Sequence, residues 1–278
     1  THSPISVSSQ PSGCLPSMPL AWFEGYAQCL AWTDALPDGS CGPNLEYSNE
    51  FLELQSASAG RAENQFQSAE EPDWKLVQRL SESLLGRTRD LRILVIWLTA
   101  QLHLNGLAGL LPALALMNHW CQHHWGSLNP PLDDEDPFER LNAIEVLAQG
   151  ELFLAAFKRT EVISLPMIGA VQIRHFAYAL DKASPLNPSD LRSRSQLESA
   201  FQMHWVKTIP IRDTVEKIQA GFKSLSRGLD AQLSNQISPD FHIAIELLNN
   251  VLALFPRDHT ARQVIKATEN SAAATEGL

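Results

Sequence analysis

Apolar residues recur along much of this chain at intervals of three and four positions, the spacing that lines one face of an α-helix. One such series consists of Trp74, Val77, Leu80, Leu84 and Leu85. The same spacing predicts helices over 20–34, from 51 onwards, and over 90–104, 107–125, 211–234 and 239–255. Only 162–163 and 171–173 favour β structure, and both are too short to predict a strand. The predicted fold class is therefore all-α.

Helix starts are marked by an acidic or amide residue close to a proline. Asp73 precedes the helix that begins at Trp74, and Asp90 is placed to cap the helix that begins at Leu91. A capping box with Asp136 at the cap and Glu139 at the third helical position is also predicted. Similar starts occur at 187–190 and 238–240.

The stretch from Leu91 to Met117 is apolar and about as long as a bilayer span. It also contains Arg92 and three further polar side chains, and Asn105-Gly106 is a helix stop signal. We therefore expect two buried helices that fold against each other, with no direct insertion into a membrane.

Composition changes along the chain and suggests its domain organisation. Residues 1–18 are rich in Ser and Pro and are predicted to be a flexible N-terminal segment. A helical bundle domain is predicted over 19–165, a linker region over 166–188 and a smaller helical middle domain over 189–268. The low-complexity residues 269–278 are predicted to be a linker or tail.

The overall charge narrows the classes of partner. The formal net charge is −10, whereas nucleic acids and anionic membranes attract proteins with a basic face. We therefore expect no nucleic-acid partner. Four cysteines occur, at 14, 29, 41 and 121, without a Cys-x-x-Cys pair, and a chain of 278 residues does not need disulfides to fold. They are predicted to be reduced thiols.

Two places could hold a metal ion. His119 and His123 are four residues apart on one predicted helix, so their side chains share a face. The Glu that a zinc protease carries between its histidines is absent, and no third ligand is evident. The acidic run 133–136 lacks the Gly and Glu of a calcium-binding loop. In both cases we favour a structural function for these residues over metal binding, and no cofactor is predicted. A metal-dependent enzyme using His119 and His123 is kept as an alternative.

Charged residues also crowd the junction before Leu91. Arg87, Arg89, Asp90 and Arg92 lie within six positions. The arginines could bind carboxylates inside the fold or on a partner. The sequence contains no Gly-rich phosphate loop and no Gly-x-Ser-x-Gly elbow, which disfavours an enzyme.

Several short motifs, in a fixed order over about 41–165, resemble the ImpA N-terminal domain found in the TssA proteins of bacterial type VI secretion systems. Asn129-Pro130 stands where that family often has His-Pro. The residues that carry the resemblance are Gly42, Leu45, Glu46, Tyr47, Asp73, Trp74, Arg87, Arg89, Asp90, Arg92, Gly106, Trp125, Pro130 and Arg140.

The resemblance implies a function in assembly rather than catalysis. TssA-like proteins are cytoplasmic, non-enzymatic components that contact the baseplate and the tube–sheath and prime or cap sheath polymerisation; the membrane complex is a further partner to consider. The motif residues are then structural or partner-binding, and we expect Trp74, Arg89, Asp90 and Trp125 to define mainly the fold. Family members usually continue into a ring-forming C-terminal domain, which this sequence lacks, so self-association is left open. An unrelated helical adaptor is the other alternative.

Overall fold

The structure is a computed structural model that describes residues 20–23, 26–61, 70–134, 136–185, 187–233 and 237–256. The predicted flexible segment 1–18, the predicted tail 269–278 and Cys14 lie outside the described residues. The α-helices within these ranges are α1 (Ala27–Thr33), α2 (Asn49–Ala59), α3 (Trp74–Leu85), α4 (Leu91–His123), α5 (Phe138–Gln149), α6 (Glu151–Arg159), α7 (Ile173–Ala179), α8 (Arg194–Met203), α9 (Trp205–Gln232) and α10 (His242–Leu254). Short 3-10 helices span Leu20–Phe23 and Pro188–Asp190.

Helix α4 is the centre of the fold. It is interrupted at Gly106, whose φ of 59° and ψ of −141° are not helical, so the predicted division into two helical halves is present. The helix is long and apolar enough to span a membrane by length and composition. Most of it is buried by the surrounding helices, as expected for the core helix of a helical bundle.

The second half of the chain packs directly on α4. Asn118 of α4 donates a hydrogen bond to the carbonyl of Gly221 in α9 over 3.1 Å, and both residues are buried. Phe157 of α6 meets Phe222 of α9 edge-on at 6.3 Å between ring centroids. A shared apolar core therefore runs from the predicted N-terminal domain into the predicted middle domain.

A two-stranded antiparallel hairpin is the main difference from the prediction. Its strands are β1 (Glu161–Leu165) and β2 (Gly169–Gln172). Ile163, Leu165 and Val171 are buried in it, because alternate side chains of a strand face the core. Val162 is buried as well, beside an irregularity in the pairing between Glu161 and Ile163. The mostly helical class holds, but the two short β-leaning segments do form strands by pairing with each other.

The segment predicted as a linker, 166–188, also contains regular structure. It holds β2 and α7, and Phe176 of α7 is buried against Phe201 and Phe255 at centroid distances of 5.7 Å in each case. Ile173, Phe176, Ala177 and Leu180 follow the helical spacing, but over only two turns, and the prediction of a linker does not take this pattern into account. The domain boundaries themselves stay predictions.

Candidate protein interaction site

Three chain segments that are far apart in sequence meet where the two ends of α4 come together. We call this the polar corner and define it as residues 41–47, 86–92 and 125–130 together with Arg140. Backbone hydrogen bonds join the segments: Arg89 N–H donates to Cys41 O over 2.6 Å, and Asn129 N–H donates to Arg89 O over 3.0 Å. Leu91 N–H donates to Asn129 O over 2.9 Å. The corner is therefore held by main-chain pairing of the kind that joins strands.

Gly42 allows the first segment to approach the second. Its φ is +80°, and a Cβ placed on it would lie 2.3 Å from Arg87 O and 2.9 Å from Thr88 Cα. Only a residue without a side chain tolerates both conditions. The family-motif glycine is thus required by the local geometry.

Asn129 and Thr88 complete the junction and were missed as site residues from sequence. The Asn129 side-chain amide donates to Gly42 O and to Thr88 Oγ1, each over 3.0 Å. Thr88 Oγ1 donates to Pro43 O over 2.8 Å. Both side chains are buried, so each hydrogen bond satisfies a polar group that has lost contact with water. The one sequence signal was Asn129 before Pro130, whose peptide bond is cis.

Arg89 points into the protein. It is only 3% exposed and donates to the carbonyls of Leu85 over 2.6 Å and Asp34 over 3.0 Å. Its guanidinium lies 5.9 Å from the centroid of the Trp120 ring. Burial lowers the pKa of Arg89. Of the two interpretations left open by the sequence, these contacts favour the internal one.

Arg140 has the same arrangement on the other side of the corner. Its buried guanidinium donates to the carbonyl of Pro130 over 2.6 Å and also to those of Trp125 and Leu128. It lies 5.2 Å from the centroid of the Trp125 ring, a cation–π distance. Burial lowers the pKa of Arg140. One side chain from α5 thus fixes the whole turn 125–130.

Asp90 and Arg92 form the charged pair at the start of α4. Asp90 accepts from the backbone N–H of Arg92 over 2.9 Å, which is the predicted helix cap. The Arg92 guanidinium lies 2.7 Å from the Asp90 carboxylate and 3.3 Å from that of Glu46. Burial acts to lower the pKa of Arg92, but hydrogen bonds and charge from Asp90 and Glu46 outweigh it and raise that pKa.

Three motif residues lie outside the polar corner. Asp73 caps α3 by accepting from the N–H groups of Lys75 and Leu76. Trp74 stacks on His103 at 3.9 Å between ring centroids and has a buried indole N–H without an acceptor among the described residues. Gly106 forms the break in α4. These residues shape α3 and α4 rather than joining the corner.

Tyr47 is the most exposed apolar motif residue of the corner. Its side chain is 88% exposed, whereas its neighbour Leu45 packs partly against the core. Next to it, Arg87 and Glu50 form an exposed ion pair at 3.6 Å. We call Tyr47, Glu50 and Arg87 the Tyr47 surface. An exposed tyrosine held on a rigid corner is well suited to a protein contact, because it offers a large amphipathic area at low entropic cost.

The alternative metal site is not assembled in the part of the chain that the structure describes. His119 and His123 lie with ring centroids 4.5 Å apart, but no group of three or more His, Cys, Asp or Glu side chains comes together in these ranges. Burial lowers the pKa of His119. In the acidic run, Asp136 accepts from Phe138 N–H over 3.0 Å. Pro137 and not Asp136 is at the N-cap of α5, so the predicted capping box of Asp136 and Glu139 is wrong.

The described cysteines are free thiols. Cys29, Cys41 and Cys121 are buried and unpaired by disulfides, as predicted. Burial raises the pKa of Cys29 and of Cys121 to about 12. Neither is therefore a reactive thiolate at neutral pH.

Comparisons with known proteins agree with the motif pattern. A family model described as "ImpA, N-terminal, type VI secretion system" matches residues 34–149. The type VI secretion system component TssA1 of Pseudomonas aeruginosa is 38% identical over 115 residues, which cover 39% of this chain and 33% of that protein. The chain therefore spans about a third of the length of this curated relative.

A solved structure has the same fold. It is the N-terminal domain, including the conserved ImpA_N region, of the TssA component of the type VI secretion system from Burkholderia cenocepacia. The TM-score is 0.64 at 20% sequence identity, covering 89% of this chain and 96% of that one. Residues 34–149 therefore match the ImpA N-terminal family of type VI secretion systems, and the chain has the fold of a TssA N-terminal domain.

Proposed function

We propose that this chain is a non-enzymatic assembly component of the type VI secretion system, which contacts the baseplate and the tube–sheath and primes or caps sheath polymerisation. Its match to the ImpA N-terminal family supports a function in this machine. The proposal places the chain in the cytoplasm, where a sheath polymerises, and needs neither a cofactor nor nucleic acid.

The observation that carries the proposal is the division of the motif residues into inward and outward groups. Arg89, Asp90 and Arg140 are buried and make their contacts within the chain. Tyr47 belongs to the same motif but is 88% exposed. A rigid corner that presents an exposed aromatic side chain fits a docking element rather than a catalytic pocket.

The test uses a bacterium whose sheath assembly depends on this chain. Tyr47→Ala with Arg87→Ala removes the Tyr47 surface, and both side chains are exposed, so we expect the fold to persist. Capture of baseplate and sheath proteins by the variant should fall about tenfold, because exposed aromatic anchors dominate many interfaces. Fluorescent sheath imaging should show fewer assemblies.

Met203→Ala is the matched control, because it removes an apolar side chain of 75% exposure from α8. It should leave capture unchanged. Unchanged capture by the Tyr47 variant would contradict a contact at this surface. The whole proposal fails if the wild-type chain captures none of these components and its deletion leaves sheath polymerisation unchanged.

A further inference from the structure

A second surface, distinct from the Tyr47 surface, lies on the outer side of the first half of α4. It is a groove of about 340 Å³ between α2 on one side and α5 and α6 on the other. Its apolar lining consists of Trp74, Val95, Ile96, Ala143, Val146 and Leu152. We call this the apolar groove.

Two apolar side chains of the groove are unusually exposed for their type. Leu152 is 74% exposed and Val146 is 42% exposed, although both belong to helices with buried faces. Leu52, 52% exposed, lies one turn before the groove residue Gln55 on α2. Apolar positions gathered on one face, rather than scattered singly, indicate a binding surface.

The arrangement of the helices leaves room in the groove for one more helix. The starts of α2, α4 and α5 lie at the same end: Glu50 pairs with Arg87, and Arg140 binds the turn 125–130. Helix α4 forms the floor between α2 and α5, and no described residue fills the space above it. A groove between two helices over a third is the geometry that takes an amphipathic helix.

The charges around the groove favour a basic occupant. Among the described residues of the lining, Arg92 is the one that carries a charge, and Asp90 and Glu46 already neutralise it at 2.7 and 3.3 Å. Glu139, one turn before Ala143 on α5, is exposed and has no ion pair among the residues described. Glu151 is exposed beside Leu152. At the far end, the exposed Asp73 and Lys75 flank Trp74, and their charges balance. The end near Arg92 is therefore acidic.

The end of the groove near Arg92 also determines the direction in which the bound helix runs. The starts of α2, α4 and α5 carry the positive ends of their helix dipoles. A helix that ends there brings its negative pole to them, and basic residues in its last turn then face Glu46 and Glu139.

We propose that the apolar groove binds an amphipathic helix of a partner protein that carries basic residues in its last turn and runs antiparallel to the first half of α4. The occupant places apolar side chains at intervals of three and four against Val146 and Leu152. This inference extends the proposed function. It rests on that function only because the partner is taken to be a component of the secretion machine.

The test uses the full chain and synthetic peptides. The probe is a fluorescein-labelled helix of four turns, ~14 residues, with Leu at intervals of three and four and Lys in its last turn. A second peptide has Glu in place of Lys, and a third carries its Lys residues in the first turn. Fluorescence anisotropy should show the probe binding about tenfold more tightly than the Glu peptide and about threefold more tightly than the third. Equal binding of all three, or binding of none, overturns the proposal.

Two pairs of variants localise the binding. Ala143→Trp fills the groove and should weaken binding of the probe about tenfold, whereas Ala220→Trp on the exposed side of α9 should not. Glu139→Lys should weaken it about threefold, whereas Glu53→Lys, the same charge change on the opposite face of α2, should not. Leu152→Ser repeats the first test at an exposed position, in case Ala143→Trp disturbs the fold. If the probe binds the Ala143→Trp and Leu152→Ser variants as tightly as the unchanged chain, the proposal is overturned.

A second copy of the chain is the rival occupant. Sedimentation that shows a dimer, lost in Leu152→Ser, together with no binding of the probe, would assign the groove to self-association and overturn the proposal. Probe binding that Leu152→Ser weakens about tenfold supports the groove even if deleting the chain leaves sheath polymerisation unchanged, which overturns the proposed function alone. Chain-dependent polymerisation with no probe binding overturns the groove alone.

Discussion

The polar corner and the apolar groove both lie against the first half of α4, yet they are built from opposite kinds of contact. In the corner, Arg89 and Arg140 are buried and donate to backbone carbonyls. In the groove, Val146 and Leu152 are apolar and exposed. Arg92 belongs to both, since it is held by Asp90 on the corner side and also lines the groove.

The difference shows which features a sequence motif can report. A buried guanidinium that serves several carbonyls can be replaced by no other side chain, so such positions are restricted in type. Groove positions need only be apolar and of suitable size. The buried motif residues therefore stabilise the fold, whereas the proposed groove has to be found from the assembled structure.

The sharpest test of the corner is Arg140→Met, which keeps the length of the side chain but removes its donors. The carbonyls of Trp125, Leu128 and Pro130 would lose their partner in a buried site, so we expect the free energy of unfolding to fall by about 3–5 kcal/mol. Urea unfolding followed by circular dichroism measures it. Arg194→Met, at a 61% exposed side chain on α8, should cost less than about 0.5 kcal/mol. Equal losses in the two variants would show that the corner is not the stabilising element.

Gly42→Ala tests the close approach within the corner. The new Cβ would meet Arg87 O at 2.3 Å in a backbone with φ of +80°, so we expect a loss of about 3 kcal/mol. Gly39→Ala has nearly the same φ, +79°, but nothing within 4 Å of the new Cβ, and should cost only about 1 kcal/mol. Thermal unfolding of both variants separates the clash from the backbone strain. A similar loss for both would mean that the approach of the two segments is unimportant.

Substitutions at two helix caps allow a buried carboxylate to be compared with an exposed one. Asp90→Ala removes the cap of α4 and the partner of Arg92, so we expect a loss of about 2 kcal/mol. Asp73→Ala removes the cap of α3, where the hydrogen bonds are exposed, and should cost about 1 kcal/mol. Chemical unfolding measures both. A larger loss for Asp73→Ala would contradict the view that the corner is the more tightly determined region.

Local signals made much of this structure predictable. Asp73, Asp90 and the break at Gly106 depend on residues within one turn, so they could be inferred from neighbouring positions. The hairpin could not, because β1 and β2 stabilise each other and neither is long enough to indicate a strand alone.

The contacts of Asn129 with Gly42 and Thr88 also could not be predicted from neighbouring positions in the sequence. They join positions 87 and 41 residues apart, and only the assembled fold brings these side chains together. The groove was equally hidden, since α2 and α5 face each other only across α4.

The smallest expected change in stability is at the groove, and it separates the two regions most directly. Leu152→Ser removes an apolar side chain that is 74% exposed, so the free energy of unfolding should change by less than about 0.5 kcal/mol. The same variant should weaken binding of the basic helical probe about tenfold, because Leu152 contributes apolar contact area only when the groove is occupied. Urea unfolding and anisotropy on one preparation test both statements. A loss above about 2 kcal/mol would mean that Leu152 stabilises the folded chain itself, and the distinction between a structural corner and a binding groove would then fail.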